Sequence, residues 1–369
     1  MSIRVHCERT VKFNGCNRLH LVYNYIVDLC PRREKMKKLL SILLAVLMVF
    51  ALFGCGKKEE APEGGETADT VKIGVAIYQF DDNFMTLYRN DIQKYFDDLN
   101  AKGGTQYEVV IVDGANDAAT QTEQVNTFIS QGVDGMIVNL VQTSSDALAK
   151  AVEDSGIPTV FINREIADYA YGDKTCYVGA DARDSGTYQG QIIFDQPDHC
   201  DLNGDGVVSY IMIMGDPENS DAQFRTEYSI KYLTDNGVTV NKLFEQTGNW
   251  AQAQGQELVA TELSKEVDDI EVVFCNNDGM AMGALEAIKA AGRKVGEDIY
   301  LVGVDAIPEA CDAVKNGDMT GTVLNDDLGQ ATAACESLLK MLGGEVITNK
   351  VNYVPYVMVT KDNVDQYIK

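Results

Sequence analysis

The stretch VKIGVAIYQFDDNFM, Val71 to Met85, decides how this chain is built. Val71, Ile73, Val75 and Ile77 alternate with Lys72, Gly74, Ala76 and Tyr78, the pattern of a short, largely buried strand, and the apolar run stops at Gln79. Asp81, Asp82 and Asn83 follow. From Asn83 the apolar positions Phe84, Leu87, Tyr88, Ile92, Tyr95 and Phe96 recur at helical spacing as far as Gly103. A strand whose C-terminal end opens onto a helix is where open α/β sheets bind ligands. Taken alone, Asp82 or Asn83 reads simply as a helix cap.

Repetition changes that reading. Strand-like runs ending in polar residues recur at VIVDGAND (Val110 to Asp117), MIVNLVQT (Met136 to Thr143), TVFINRE (Thr159 to Glu165), VVFCNND (Val272 to Asp278) and LVGVDAIPE (Leu301 to Glu309). A helical pattern or a turn follows each one, so the chain reads as α/β with parallel sheets covered by helices on both faces.

The 369 residues suggest about two domains. Residues 1–35 hold seven Lys or Arg, three Asp or Glu and three Cys with no periodicity, and a second Met follows them. Met36, Lys37 and Lys38 open an apolar run from Leu39 to Phe53, interrupted by Ser41, that ends in Gly54 and Cys55. A charged start, an apolar core too short to span a bilayer comfortably and a small residue before Cys describe a bacterial lipoprotein signal over 36–54. Translation is then expected to start at Met36, with 1–35 a mis-assigned upstream extension, and Cys55 is the expected lipidation site. Residues 55–70, rich in Gly and Glu, read as a flexible tether. Of the 31 Lys and Arg, nine precede Cys55, and of the 56 Asp and Glu, three do, which leaves a formal charge of −31 from Cys55 onward. So acidic a chain does not attract nucleic acid or an anionic bilayer through its own field.

Past Cys55 the cysteines stand at 176, 200, 275, 311 and 335 with no CxxC pair, and Cys275 and Cys335 sit in apolar contexts as small core residues. The single remaining histidine, His199, argues against zinc and against Ser-His-Asp or Cys-His catalysis. DLNGDGVVS, Asp201 to Ser209, places Asp201, Asn203 and Asp205 at alternate positions before Gly206, with the Val207 carbonyl and the Ser209 hydroxyl next. That matches the first nine positions of an EF-hand calcium loop, but Met212 stands where the twelfth-position Glu belongs. A hard cation there needs a bidentate carboxylate from elsewhere; an ordinary turn is the alternative. A helix is expected over Asp184 to Phe194, a strand over Val238 to Phe244 and a helix over Ala251 to Leu263.

The strand ends together supply Asp82, Asn163, Asp221, Arg225, Asn277, Asp305 and Asn325, with Phe84 and the lone Trp250 beside them. Asp221 and Arg225 are four apart at a helix start and share a face. Amides, carboxylates and an Arg fork pair with hydroxyls, and aromatic faces cover the C–H patches of a pyranose. No phosphate-cradling glycine loop and no nucleophile with its base accompany them.

IYQFDDNFM, VFINRE, the DxNxDG loop, SDAQFR, Trp250, NNDGMAMGA, GVDAIPEA and GTVLND resemble the bacterial glucose/galactose-binding proteins, sugar receptors of ABC importers, from about Val71 to the C-terminus. The resemblance implies two Rossmann-like lobes of the periplasmic binding protein type I kind joined by a three-segment hinge, 71–179 with 326–352 and 180–325 with 353–369. It also implies a monomer that is not an enzyme, with D-galactose or D-glucose in the cleft, an ABC permease as partner and a chemoreceptor as a further one. Phe84 and Trp250 would sandwich the ring, Asp82 would accept from the 4-hydroxyl, and Asn163, Asp221, Arg225, Asn277, Asp305 and Asn325 would bond the remaining hydroxyls and ring oxygen. The structural calcium ion, Ca2+, would take Asp201, Asn203, Asp205, the Val207 carbonyl, Ser209 and Glu271. Two residues depart from the pattern: Asn219 stands where the family has a sugar-binding His, and Ser209 where it has Gln. Two other classes share parts of this reading. A lac-repressor-type regulator has the same lobes, but an export signal and no helix-turn-helix precede Val71. A glycoside hydrolase would use two carboxylates such as Asp82 and Asp305.

Overall fold

The computed structural model describes residues 70–368 apart from 144, 167 and 266–268. The export signal, Cys55 and the tether as far as residue 69 therefore lie outside the described residues. The alternation read from the sequence becomes β1 (Thr70–Ile77), α1 (Asn83–Lys102), β2 (Gln106–Asp113), α2 (Ala118–Gln131), β3 (Gly135–Val138), α3 (Asp146–Ser155), β4 (Thr159–Ile162) and β5 (Thr175–Gly179). The chain then crosses to α4 (Ala182–Phe194), β6 (Val208–Met214), α5 (Ser220–Asp235), β7 (Val240–Thr247), α6 (Gln252–Leu263), β8 (Val272–Cys275), α7 (Asp278–Ala290), β9 (Tyr300–Val302), α8 (Pro308–Asn316) and β10 (Thr322–Leu324). It returns through α9 (Asp327–Leu342) and β11 (Val351–Tyr353), and crosses again to β12 (Val357–Val359).

Two parallel sheets result. The first has the order β11-β5-β4-β3-β1-β2 and the second β7-β6-β8-β9. Single parallel bridges, Val302 to Gly321 and Asp305 to Leu324, lay β10 alongside β9, and β12 runs antiparallel to β10. In each sheet the order reverses around the first strand, with β1 between β2 and β3 and β6 between β7 and β8. Crevices open at the C-terminal ends of strands at such switch points.

The period of two along β1 sorts its side chains between layers. Ile73, Val75 and Ile77 pack with Ile92 and Phe96 of α1 and Cys335 and Leu338 of α9, whereas Ala76 joins Val125 and Phe128 of α2 on the other face. In the second lobe Ile211 and Ile213 pack on α7 and α8, and Tyr210 and Met212 pack toward Ile192 of α4 and Leu233 of α5. Each such side chain taken out of water contributes about 1.5–3 kcal/mol. Cys275 and Cys335 are core residues, and all five described cysteines are buried. A Cβ on Gly283 would lie 2.0 Å from the Gln252 carbonyl oxygen, so α6 and α7 meet backbone to backbone. That contact fixes the start of α6, and with it Trp250, against the start of α7.

Three expected boundaries shift for local reasons. The helix expected from Asp184 begins at Ala182, because the Asp181 side chain caps it by accepting from the Arg183 amide. The strand expected from Val238 begins at Val240 and runs on to Thr247, because the Val238 N–H closes α5 by donating to the Leu233 carbonyl at 3.0 Å. Tyr353 still pairs with Gly179 in the first sheet, so the last crossing falls one residue later than expected.

Candidate ligand-binding site

The strand ends of the two lobes face one another across a small, tightly lined cavity. Asp82, Phe84 and Asn163 line it from the first lobe; Asn219, Asp221, Arg225, Trp250, Asn277 and Asp305 from the second; and Asn325 from the crossing between β10 and α9. Every residue that the sequence offered for a hydroxylated ligand therefore borders the same space. Tyr78, Met85 and Arg164 border it as well and were not singled out from the sequence.

Asp82 is both a cap and a cavity group. Its Oδ1 accepts from the Met85 N–H at 2.8 Å, closing the first turn of α1, and its Oδ2 accepts from the Tyr78 hydroxyl at 2.5 Å. Over the Tyr78 ring lies the Arg164 guanidinium, with Cζ 3.6 Å from the ring centre and Nη1 donating to the Val141 carbonyl at 2.6 Å. Asn219 and Asn277 repeat the device in the second lobe, capping α5 and α7 through Asp221 N–H at 3.0 Å and Met280 N–H at 2.9 Å.

Arg225 is the central cation of the second lobe and is almost wholly buried. It donates from Nη1 to the Asn276 carbonyl at 2.7 Å and from Nη2 to the Tyr356 hydroxyl at 3.1 Å. Asp221 and Asp305 flank it at 3.8 and 3.9 Å, the first of these being the shared helix face expected from the spacing. Burial pushes the Asp221 carboxyl up to about 6, against the pull of Arg225 and Arg164. Burial likewise raises Asp305 well above the usual carboxylate range, with Arg225 opposing. Arg225 Nε and Trp250 Nε1 are buried donors without a hydrogen-bond partner. Such groups cost free energy unless something accepts from them.

Three cavity residues hold backbone angles that side chains rarely adopt: Asn163 (φ 62°), Trp250 (φ 66°) and Asp305 (φ 127°). Each is tied down. Tyr177 Oη donates to the Asn163 carbonyl at 2.7 Å, Asn277 Nδ2 to the Trp250 carbonyl at 3.1 Å, and the Asp305 N–H to the Val323 carbonyl at 2.8 Å. The fully buried Asp278 accepts from Thr322 Oγ1 at 2.7 Å and from the Ile307 N–H at 3.1 Å, which steadies the turn that carries Asp305. The Trp250 indole lies on the backbone of Gly215, where a Cβ would come within 2.2 Å of it, so only glycine fits. At the mouth, Gln142 Nε2 donates to Glu218 Oε2 at 3.1 Å and Thr143 Oγ1 to the Glu218 carbonyl at 2.9 Å, joining the lobes.

The loop at 201–209 stands apart from this cavity. Asp201 accepts from the Gly204 and Gly206 amides, Asn203 Oδ1 from Asp205 N–H and Asp205 Oδ1 from Val207 N–H, each at 2.8 Å. Glu271, only 2 % exposed, accepts from Leu202 N–H at 2.7 Å and Asn203 N–H at 3.1 Å through Oε1, and from Ser209 N–H at 2.8 Å through Oε2. Among the described residues no three His, Cys, Asp or Glu side chains gather closely enough to hold a metal. In kind, though, the donor set fits a hard cation: it is all oxygen, Glu271 reaches the loop, and no Lys or Arg among the described residues pairs with Glu271, Asp201 or Asp205.

The periplasmic binding protein domain matches residues 73–345. A D-galactose/methyl-galactoside binding periplasmic protein of Haemophilus influenzae is 37% identical over 314 residues, covering 81% of this chain and 92% of that one. A xylitol-binding protein of Mycolicibacterium smegmatis is 30% identical over 336 residues, covering 90% and 88%. An ABC transporter solute binding protein from Bacillus halodurans, solved with bound myo-inositol, superposes with a TM-score of 0.71 at 28% identity over 82% of this chain and 99% of its own. The two parallel sheets, the three crossings and these matches agree, and the chain belongs to the periplasmic binding protein family.

Proposed function

We propose that this protein is an extracytoplasmic receptor that encloses one monosaccharide, D-galactose or D-glucose, between its lobes and delivers it to an ABC importer. The observation that carries the reading is the cavity itself. It has three aromatic side chains among its walls, Tyr78, Phe84 and Trp250, and three carboxylates and two guanidiniums converge on it. That inventory meets hydroxyls in bidentate fashion and covers the apolar faces of a ring. The relatives that bind galactose, xylitol and myo-inositol support a polyhydroxylated ligand. Hydrolysis finds no support: both Asp82 oxygens already accept from Met85 N–H and the Tyr78 hydroxyl, which holds the carboxylate as a fixed acceptor. Calorimetry against aldohexoses, pentoses and inositols tests the reading; galactose and glucose should bind one per chain, and heat from neither would overturn it.

Two further assignments belong to the same reading. A calcium ion held by Asp201, Asn203, Asp205, the Val207 carbonyl, Ser209 and Glu271 would neutralise three carboxylates that have no basic partner among the described residues. Lipidation of Cys55 would keep the receptor at the outer face of the membrane beside its permease; mass spectrometry of the native protein should find Cys55 as the modified N-terminus, and an intact 1–54 segment would overturn that assignment.

A further inference from the structure

An asparagine in a binding cavity presents a donor or an acceptor according to which end of its amide is already engaged. In this cavity the Oδ1 end of all four is engaged, and Asn277 and Asn325 also spend one N–H each, on the Trp250 carbonyl and on Asp305. Asn219 Oδ1 and Asn277 Oδ1 each accept from a backbone N–H as helix caps, which fixes their orientation outright. Asn163 Oδ1 accepts from Asn139 Nδ2 at 3.2 Å, and Asn325 Oδ1 accepts from Gln330 Nε2 at 2.6 Å. Asn139 and Gln330 are fully buried and do not line the cavity.

The orientation of Asn139 is itself determined. Its Oδ1 accepts from Tyr78 N–H at 3.3 Å, and its Nδ2 also donates to the Ile162 carbonyl at 3.2 Å. Asn276 occupies the equivalent place in the second lobe, directly after β8 as Asn139 is directly after β3. The Asn139 N–H donates to Ala76 O and the Asn276 N–H to Ile213 O, while Asn276 Oδ1 accepts from Gly215 N–H at 3.0 Å. Clamping the first strand to the third is therefore scaffold work common to both lobes. The bond from Asn139 to Asn163 is additional; the Asn276 amide turns to Thr226 instead. Asn325 is fixed from its other end too, since Nδ2 donates to Asp305 Oδ1 at 3.2 Å.

We propose that Asn139 and Gln330 are positioning residues that turn the Asn163 and Asn325 amides donor-side toward the ligand. With Asn219 and Asn277 locked the same way, ligand oxygens meet every cavity amide as acceptors, and ligand hydroxyl protons go to Asp82, Asp221 and Asp305. This rests on the monosaccharide reading, and it narrows that reading: a ring position facing an amide must carry an oxygen that can accept, so an ammonium group there is rejected.

The test is a pair of double-mutant cycles read by calorimetry with galactose and glucose. Asn139→Leu and Gln330→Met should each weaken binding about two- to tenfold, the scale of one hydrogen bond. Gln330→Met should add nothing in an Asn325→Ala background, and Asn139→Leu should weaken binding less in an Asn163→Ala background than in the wild type, keeping only what the lost bonds to Tyr78 and Ile162 cost. Equal weakening in both backgrounds would show general packing damage and overturn the proposal. The two cycles are independent, so the Gln330 arm decides if Asn139→Leu fails to fold. Side-chain amide NMR of the ligand-free protein gives a readout without sugar. The Asn163 NH2 group should be rigid in the wild type and mobile in Asn139→Leu, and the Asn325 NH2 group, left with its bond to Asp305 alone, should gain motion in Gln330→Met. Unchanged rigidity in both overturns the lock, whereas rigid amides in a protein that binds no sugar would overturn only the monosaccharide reading.

Discussion

The Asp221 carboxyl carries two pH dependences of opposite sign. Burial lifts it to about 6, above the value of about 4 that an unfolded chain gives it. Its contribution to folding is thus complete below about pH 4 and lost as the pH rises through about 6. A sugar hydroxyl, by contrast, donates best to the ionised carboxylate. Affinity should therefore fall as the pH drops from 7.5 to about 5, while through this group the ligand-free fold gains; Asp305, raised for the same reason, titrates in the same sense. Binding measured over that range should weaken in the wild type and weaken less in Asp221→Asn, the remainder coming from Asp305, and a flat wild-type profile would remove Asp221 from contact with the ligand. Trp250 gives a second test at this scale. It is the only tryptophan, its Nε1 is unpartnered and its ring lies on Gly215, so saturating sugar should change its emission. Trp250→Ala should weaken binding by about 2 kcal/mol or more, as for other buried aromatic anchors. Unchanged affinity would make Trp250 a packing residue alone. The residues with a polar side chain at a strand end were legible because the apolar run stops where the site begins. Tyr78 and Arg164 were not, since Tyr78 continues the alternation of β1 and Arg164 stands in the shadow of Asn163. Tyr356, which bonds Arg225 from the last crossing, belongs to no pattern that period or spacing reveals.

At the scale of elements, helix caps and cavity groups are the same residues. Asp82, Asn219 and Asn277 each close the first turn of a helix and also border the cavity, so the choice between cap and ligand group that the sequence posed dissolves. A cap replaced by alanine costs about 1 kcal/mol of stability, which a binding measurement on such a variant must separate from lost contact. Alternation and helical spacing sufficed to find the strands and helices, but their ends were set by hydrogen bonds the pattern does not contain, such as the Val238 N–H turned back onto α5. The loop at 201–209 was legible by spacing alone, and Glu271 was not, because it arrives from the start of another strand. If the loop holds calcium, chelation should lower the melting temperature, since an ion at a hundred times its dissociation constant stabilises the folded state by about 2.7 kcal/mol. An unmoved melting temperature with EDTA, together with no calcium by metal analysis, would make the loop a turn held by its own amides.

At the scale of the molecule the two switch points face one another across three crossings, and the lobes touch directly at the mouth. Leu87 of α1 packs against the core of the second lobe, and Glu218 takes hydrogen bonds from Gln142 and Thr143. On the receptor reading, bending at the crossings would open the cleft and break these contacts. Release then requires reopening, so contacts made solely in the closed state act on how long the sugar stays rather than on how fast it arrives. Glu218→Ala removes the acceptor for Gln142 and keeps the backbone carbonyl that Thr143 uses. One exposed hydrogen bond is worth about 0.5–1 kcal/mol, so the dissociation constant should rise roughly two- to fivefold. Stopped-flow fluorescence through Trp250 should show that rise in the dissociation rate with the association rate nearly unchanged. If the association rate falls instead, Glu218 guides the sugar into the open cleft and the closed mouth is not what retains it.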